Sequence, residues 1–308
     1  MAGLLRCSRV ARADGYLPAG SVGASRAFVL VEAPLPWPAD VGAHPLLAPL
    51  APVIGGAGAR LQAVVPQADR PPGETRVVVY RRPPGGFVRF DRAERSVPTD
   101  DLAAAIADLL VAPAEPPAPG LTDVLVCTHG SRDVCCGADG MRVYGELVAR
   151  DLPGVRVWRT SHTGGHRFAP TALTLPDGRA WAWIDAALMQ GIVERTVPVA
   201  EAVDHDRGCA GFDDPFVQTA ESAVLGAVGW GWLDRARRAE VETVDQERRV
   251  VTLTGDDADG SRLRYRAEVV LSRVVPVPDC GRPLEEARKS SPELVVAGLD
   301  RLPDPDHH

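Results

Sequence analysis

Two pairs of metal-ligand side chains follow two predicted strands, and this arrangement constrains the fold more than any other feature of the chain. Cys127 ends an apolar run that is typical of a buried strand, and Cys136 follows it. His162 and His166 come after Val155–Thr160, whose alternation predicts a second strand. Open α/β sheets place their sites in loops at the carboxyl ends of strands. Because thiolate and neutral imidazole suit zinc and iron–sulfur centres, the sequence predicts one compact metal site on an α/β sheet.

The spacing within each pair argues against a simple zinc knuckle. Zinc knuckles usually take two cysteines from one tight turn, about two to four residues apart. Here eight residues separate Cys127 from Cys136, which predicts a wide loop that can surround a cluster. The histidines are separated by Thr163, Gly164 and Gly165, and paired glycines are poor helix formers. We therefore expect a loop in which the glycines let backbone N–H groups approach the metal centre.

Two short motifs carry a family resemblance. They are C-x8-C from Cys127 to Cys136 and H-x-G-G-H from His162 to His166. Together they resemble the thioredoxin-like ferredoxin domain of the sucrase/ferredoxin-like family, and the surrounding pattern extends the match over roughly residues 120–200. The resemblance implies a 2Fe–2S cluster held by two cysteines and two histidines, in a protein that is not a Rieske protein. It implies Cys127 and Cys136 on one iron, and His162 and His166 on the other, reducible iron.

Neighbouring side chains leave alternatives open. Cys135 adjoins Cys136, although the eight-residue spacing favours Cys136 as the ligand. His129 is either a substitute ligand or a hydrogen-bonding residue within the loop. Arg132 either forms a local ion pair with Asp133 or lies close enough to the cluster to offset its charge. The remaining cysteines and two further histidines are expected only to pack or to make local hydrogen bonds: Cys7, His44, His205, Cys209 and Cys280.

The pattern of elements predicts three regions. Residues 116–205 show the order β-α-β-β-β-α of a thioredoxin-like ferredoxin domain that carries the metal site. Residues 1–115 repeat almost the same order without a ligand cluster, which predicts a degenerate thioredoxin-like half that binds no metal. The proline-rich segment Pro113–Pro119 is the best candidate linker between the two.

The C-terminal region, residues 206–308, is predicted to extend this α/β core. Apolar spacing predicts a long helix over Asp214–Arg237. The alternating segments that follow it predict an antiparallel β-meander. From Leu294 onward the pattern is weak and predicts a frayed tail.

Composition excludes several classes of function. The 308 residues carry a formal net charge of −7, which argues against a nucleic-acid surface. There is no apolar run long enough to span a bilayer and no secretory signal pattern, so no membrane association is expected. The six cysteines do not resemble a disulfide framework and suit a reducing, cytoplasmic location. The chain shows neither a dinucleotide-binding glycine motif nor a P-loop, and no paired carboxylates single out a glycosidase site.

The sequence therefore predicts a one-electron carrier or redox sensor with a 2Fe–2S cofactor rather than an enzyme with its own substrate. Imidazole ligands raise the reduction potential relative to thiolates, and their second nitrogen can couple electron transfer to a proton. The partners expected are redox donor and acceptor proteins that the sequence does not identify. Two alternatives are a structural zinc protein with the same Cys2His2 set, and an oxidoreductase that uses the cluster or the vicinal thiols of Cys135 and Cys136.

Overall fold

The computed structural model describes residues 5–112 and 120–303, so the predicted linker Pro113–Pro119 lies outside the described residues. The α-helices are α1 (Cys7–Ala13), α2 (Ala51–Gly56), α3 (Leu102–Val111), α4 (Val134–Val148), α5 (Ala186–Val193), α6 (Val199–Val203) and α7 (Pro215–Val228). Short 3-10 turns cover Val41–Ala43, Ala48–Leu50, Thr99–Asp101, His166–Phe168, Trp230–Asp234 and Leu284–Glu286. In these parts of the chain, no helix combines the length and the apolar character needed to cross a membrane.

The strands form two sheets. The large sheet contains β1 (Ala27–Glu32), β2 (Ala59–Val64), β3 (Glu74–Arg81), β4 (Asp91–Pro98), β5 (Thr122–Cys127), β6 (Val155–Thr160), β7 (Ala172–Leu175), β8 (Arg179–Trp181) and β9 (Asp206–Cys209). The second sheet contains β10 (Ala236–Thr243), β11 (Arg248–Asp256), β12 (Arg262–Pro276) and β13 (Ser290–Leu302). Its strands pair in chain order and are all antiparallel.

The large sheet consists of two similar halves that meet edge to edge. Its strand order is β4-β3-β1-β2-β6-β5-β7-β8-β9. In the first half β1 pairs with β2 in parallel and with β3 antiparallel. In the second half β5 pairs in the same way with β6 and β7. The halves join through the antiparallel pair β2–β6, at Val64 and Thr160. The expected α/β class is confirmed, and each half has a thioredoxin-like arrangement of strands and helices.

Both faces of this sheet are covered, which explains why β1 is apolar along almost its whole length. All six residues of β1 are buried. Val29 and Val31 pack with the residues of α2 and α3 on one face. Phe28 and Leu30 belong to the core on the other face, which includes residues of α7 and of the second sheet. The C-terminal region is therefore a structural layer of the protein, because it covers a face of the large sheet.

The C-terminal elements differ from the predicted ones at two places. The predicted helix over Asp214–Arg237 ends at Val228, because Gly229 takes a positive φ of +93° and a 3-10 turn follows. The predicted frayed tail from Leu294 is wrong up to Leu302, which ends β13, a strand that pairs with β12 along most of its length. Register shifts in this pair break the regular alternation that predicts a strand. The rest of the predicted tail, residues 304–308, lies outside the described residues.

A buried charged network fixes α7 against the sheet. The Glu221 carboxylate accepts hydrogen bonds from Arg179, from Arg237 and from the indole of Trp232. Arg179 also pairs with Asp206 of β9, and the four charged side chains are fully buried. Burial alone would raise the pKa of Glu221, but Arg179 and Arg237 hold this pKa below its usual value. The network therefore requires an ionised Glu221.

Candidate metal centre

The two predicted cysteine ligands lie at a strand end and in the first turn of a helix. Cys127 is the last residue of β5, and Cys136 follows the start of α4 at Val134. Asp133 caps this helix, because its Oδ1 accepts the backbone N–H of Cys135 at 2.9 Å and of Cys136 at 3.1 Å. The wide loop predicted between the cysteines is therefore only partly correct. Since successive helical side chains point in different directions, Cys135 and Cys136 contact different groups.

Glycines allow α4 to approach the end of β5 at backbone distance. A Cβ at Gly137 would lie 2.5 Å from the Cα of Gly130. A Cβ at Gly140 would overlap the carbonyl oxygen of Cys127. These close contacts explain glycine at helical positions where its low propensity would otherwise be a cost. They bring Cys136 next to Cys127.

Hydrogen bonds from the first half of the sheet position the histidine loop. The Arg60 guanidinium donates to the carbonyl oxygen of His162 at 3.2 Å. The backbone N–H of His162 donates to Nδ1 of His129 at 3.2 Å. The other ring nitrogen of His129, Nε2, then donates to the carbonyl oxygen of Pro38 at 2.9 Å. Because both nitrogens of His129 make hydrogen bonds, this residue orients the loop and is not available as a ligand.

Three of the four predicted ligands form one group. Cys127, Cys136 and His162 each contribute one donor atom, and these three atoms lie within 4.8 Å of one another. Both cysteines are buried and His162 is half-buried. Nδ1 of His162 is buried without a hydrogen-bond partner among the described residues. A buried polar atom of this kind normally has a partner, so its environment suits a bound metal centre.

The thiols of this group share a proton. The Cys136 thiol donates to Cys127, and this hydrogen bond holds the pKa of Cys127 well below its usual range despite full burial. The same hydrogen bond, together with burial, raises the pKa of Cys136 well above its usual range. This hydrogen bond therefore favours a thiolate at Cys127, and thiols bind metals as thiolates.

His166 lies beside this group. Its ring centroid is 6.3 Å from that of His162. Its Nδ1 lies 3.2 Å from Oδ2 of Asp133 and 3.4 Å from Sγ of Cys7. Of the two alternatives for Arg132, the ion pair with Asp133 does not form, since Arg132 donates to the carbonyl oxygen of Ala39 and Asp133 contacts His166.

Buried arginines surround the histidine loop. The Arg207 side chain donates to Ser21 and to the carbonyl oxygen of Gly164. Within residues 5–112 and 120–303, neither Arg207 nor Arg60 forms an ion pair with a carboxylate. Burial lowers the pKa of Arg207 to about 9, and the neighbouring Arg167 and Arg60 also lower it. Gly165 has a φ of +66°, and its Cβ would lie 2.5 Å from the Arg207 guanidinium. The loop glycines thus admit a cation that stabilises negative charge on the centre.

A second thiol group lies next to the first. It contains three cysteines and a carboxylate whose donor atoms lie within 4.8 Å of one another: Cys7, Asp133, Cys135 and Cys280. The sequence predicts that Cys7 and Cys280 only pack and that the N-terminal region binds no metal. They come from opposite ends of the chain, so no local spacing indicates that they meet.

The fold and the site define a thioredoxin-like α/β protein with a buried group of thiol and imidazole side chains. The chain belongs to the sucrase/ferredoxin-like family, whose model matches residues 18–208. It is also similar to the altered inheritance of mitochondria protein 32 of Meyerozyma guilliermondii, with 32% identity over 82 residues, which cover 24% of this chain and 29% of that protein. The match thus spans less than a third of this relative. No solved structure matches the chain.

Proposed function

We propose that the protein is a one-electron carrier or redox sensor that holds a 2Fe–2S cluster through Cys127, Cys136, His162 and His166. The main support for this proposal is that two buried thiols lie next to His162. Nδ1 of His162 is buried and has no hydrogen-bond partner in the described parts of the chain. Membership of the sucrase/ferredoxin-like family supports it. Soft thiolates combined with imidazoles are a donor set that binds iron–sulfur clusters.

The surroundings of His166 fit the role of a fourth ligand. Its Nδ1 faces the Asp133 carboxylate at 3.2 Å, so an Nδ1–H donates to this carboxylate and leaves Nε2 for the metal. Metal-bound histidines usually donate their second N–H in this way, which fixes the ring and raises its basicity. In this assignment Cys127 and Cys136 bind one iron, and His162 and His166 bind the other.

A bound cluster would supply one-electron chemistry, and the side chains around it would set its potential and its protons. The cysteines are fully buried, whereas both histidines are partly exposed. The histidine side therefore exchanges protons with solvent and is the side from which a redox partner approaches. Arg207 and Arg60 favour the more negative, reduced state because they are buried cations next to the loop.

This proposal makes the protein a carrier or sensor that works with redox donor and acceptor proteins and has no substrate of its own. The two buried free thiols of the proposed ligand set, Cys127 and Cys136, must stay reduced to serve as ligands. A reducing, cytoplasmic location is therefore part of the proposal.

The test is the spectrum and the iron content of protein purified without oxygen. We expect a coloured protein with iron and sulfide, and an electron paramagnetic resonance signal on reduction. Replacing any one of Cys127, Cys136, His162 or His166 by Ala should remove the cluster. Cys135→Ala, its neighbour on α4, should keep it and serves as the matched control.

Two results would contradict the proposal. Colourless protein that contains only zinc would favour a structural zinc site at the same residues, because zinc is spectroscopically silent. Loss of colour in Cys135→Ala, together with retained colour in Cys136→Ala, would show that the ligand assignment is wrong.

A further inference from the structure

Three thiols that the iron–sulfur proposal does not use converge beside α4. Sγ of Cys135 lies 3.1 Å from Sγ of Cys280 and 3.8 Å from Sγ of Cys7. Sγ of Cys280 lies 3.4 Å from Sγ of Cys7. Oδ2 of Asp133 completes the group at 3.8 Å from Sγ of Cys7. The side chains come from α1, from α4 and its cap, and from the loop between β12 and β13.

We propose that Cys7, Asp133, Cys135 and Cys280 bind a second metal ion, a single thiophilic divalent cation for which zinc is the best fit. Zinc in structural sites is tetrahedral, and Zn–S bonds of about 2.3 Å place the ligand sulfurs about 3.8 Å apart. The three separations are 3.1, 3.4 and 3.8 Å, so one matches this value and the other two are shorter, and binding zinc would move Cys280 outward. Three thiolates and one carboxylate give zinc a closed set of four ligands.

The site is prepared to hold anionic sulfur. Cys7 and Cys135 are fully buried, and Cys135 lies in the first turn of the fifteen-residue helix α4, where the helix dipole stabilises a thiolate. Sγ of Cys7 and Sγ of Cys280 both lie within hydrogen-bond distance of Sγ of Cys135. Zinc would displace the thiol protons of the three cysteines to solvent, and no oxidant is required.

Metal binding explains this cluster better than a disulfide. A disulfide requires about 2.05 Å between two sulfurs, and all six cysteines are free. Pairing Cys135 with Cys280 would also leave Cys7 as an unpaired buried thiol beside a carboxylate. A single soft cation uses all three sulfurs and the carboxylate together.

The two proposed centres share no cysteine. Cys135 contacts Cys7 and Cys280, whereas Cys136 contacts Cys127. The zinc site also differs from the family's matched region, since Cys7 and Cys280 lie outside residues 18–208. Its role is structural: it would fasten α1 and the loop after β12 to the first turn of α4.

The experiment measures zinc and iron per folded chain in the whole protein, by elemental mass spectrometry after gel filtration with a weak chelator. Wild type should contain stoichiometric zinc in addition to iron. The Cys7→Ser/Cys280→Ser double variant should lose its zinc and keep its iron. Cys127→Ser should lose its iron and keep its zinc. Cys209→Ser, which alters a buried thiol that donates to the carbonyl oxygen of Asp177, is the matched control and should keep both metals.

Cobalt replacement identifies the ligands without relying on a variant. Wild-type protein stripped of metal and titrated with cobalt(II) should show the intense thiolate-to-cobalt absorption of a tetrahedral sulfur site. Cys280→Ser, a change at a half-buried loop position, should weaken this absorption while circular dichroism stays unchanged.

Four results would overturn the proposal. The first is wild-type protein that takes up neither zinc nor cobalt when either is supplied alone. The second is a folded double variant that retains its zinc. The third is loss of zinc from Cys127→Ser, which would place zinc in the first group. The fourth is a Cys135–Cys280 disulfide in peptides from unreduced, freshly purified protein. The first and fourth of these results do not depend on whether the iron–sulfur proposal is correct.

Discussion

Substituting alanine at Gly140 tests the contact that brings the two cysteine ligands together. The new Cβ would overlap the carbonyl oxygen of Cys127 and lie 3.1 Å from the carbonyl carbon. Both atoms belong to the backbone of β5, which is paired on both sides and has little freedom to move. Helix α4 must therefore shift away from the strand. Forced overpacking of this kind typically costs about 1–3 kcal/mol.

Gly145 provides a matched control on the same helix. It is exposed, and a Cβ there would meet no heavy atom within 4 Å. Gly145→Ala should raise the free energy of unfolding by about 0.4–1 kcal/mol, because alanine restricts the unfolded chain and favours helix. Gly140→Ala gains the same intrinsic benefit. The difference between the two variants, about 1–3 kcal/mol, therefore isolates the contact with Cys127.

The assay is urea unfolding of both variants and wild type, followed by tryptophan fluorescence, with iron measured per folded chain. We expect Gly140→Ala to be the less stable variant and to hold less iron, because Cys127 and Cys136 lie on opposite sides of the contact. Gly145→Ala should hold as much iron as wild type. Equal stability and full iron in both variants would refute the reasoning.

Three further predictions follow from the buried charges and the imidazoles. Glu221→Gln should lower the free energy of unfolding by about 3–5 kcal/mol, because it leaves Arg179 and Arg237 without their buried anion. The folded-state pKa of Glu221 is lowered, so the stability that its carboxylate contributes is complete above the ordinary glutamate pKa of about 4.3 and disappears as the pH falls below it. Between pH 7 and pH 3, the free energy of unfolding should therefore fall less in Glu221→Gln than in wild type. Arg207→Met should lower the reduction potential of the loaded protein in a redox titration, whereas Arg142→Met on the exposed face of α4 should leave it unchanged. The potential should fall as the pH rises, because imidazole ligands of the oxidised centre lose a proton; a potential that stays flat from neutral to alkaline pH would exclude proton coupling.

The repeated sheet and the histidine loop could be predicted because their signals are local. The apolar run at residues 124–127 predicts a buried strand, and the glycines between His162 and His166 exclude a helix. The start of α4 could not be predicted in this way, since glycines at 137 and 140 lower the local helix propensity. Tertiary contacts require those glycines, and the Asp133 cap compensates for them. The signal was present in Asp133, which sequence reasoning treated as an ion-pair residue.

The second thiol group could not be predicted, because its geometry is set by long-range packing. Cys7 and Cys280 are separated by 273 positions. They meet only because β12 and β13 fold back over the sheet and carry their connecting loop to α1. The backbone N–H of Gly281 donates to the carbonyl oxygen of Leu5 at 2.8 Å and holds this loop in place.

The separation of these cysteines along the chain has a consequence for biosynthesis. A ribosome releases Cys7 long before Cys280, which follows 273 positions later, and domains generally fold as they emerge. The ligands from Cys127 to His166 are complete long before the last strands exist. The sulfurs of Cys7, Cys135 and Cys280 can meet only after the second sheet has formed. A polypeptide that stops before Cys280 would therefore leave the thiols of Cys135 and Cys7 without the third sulfur of their group.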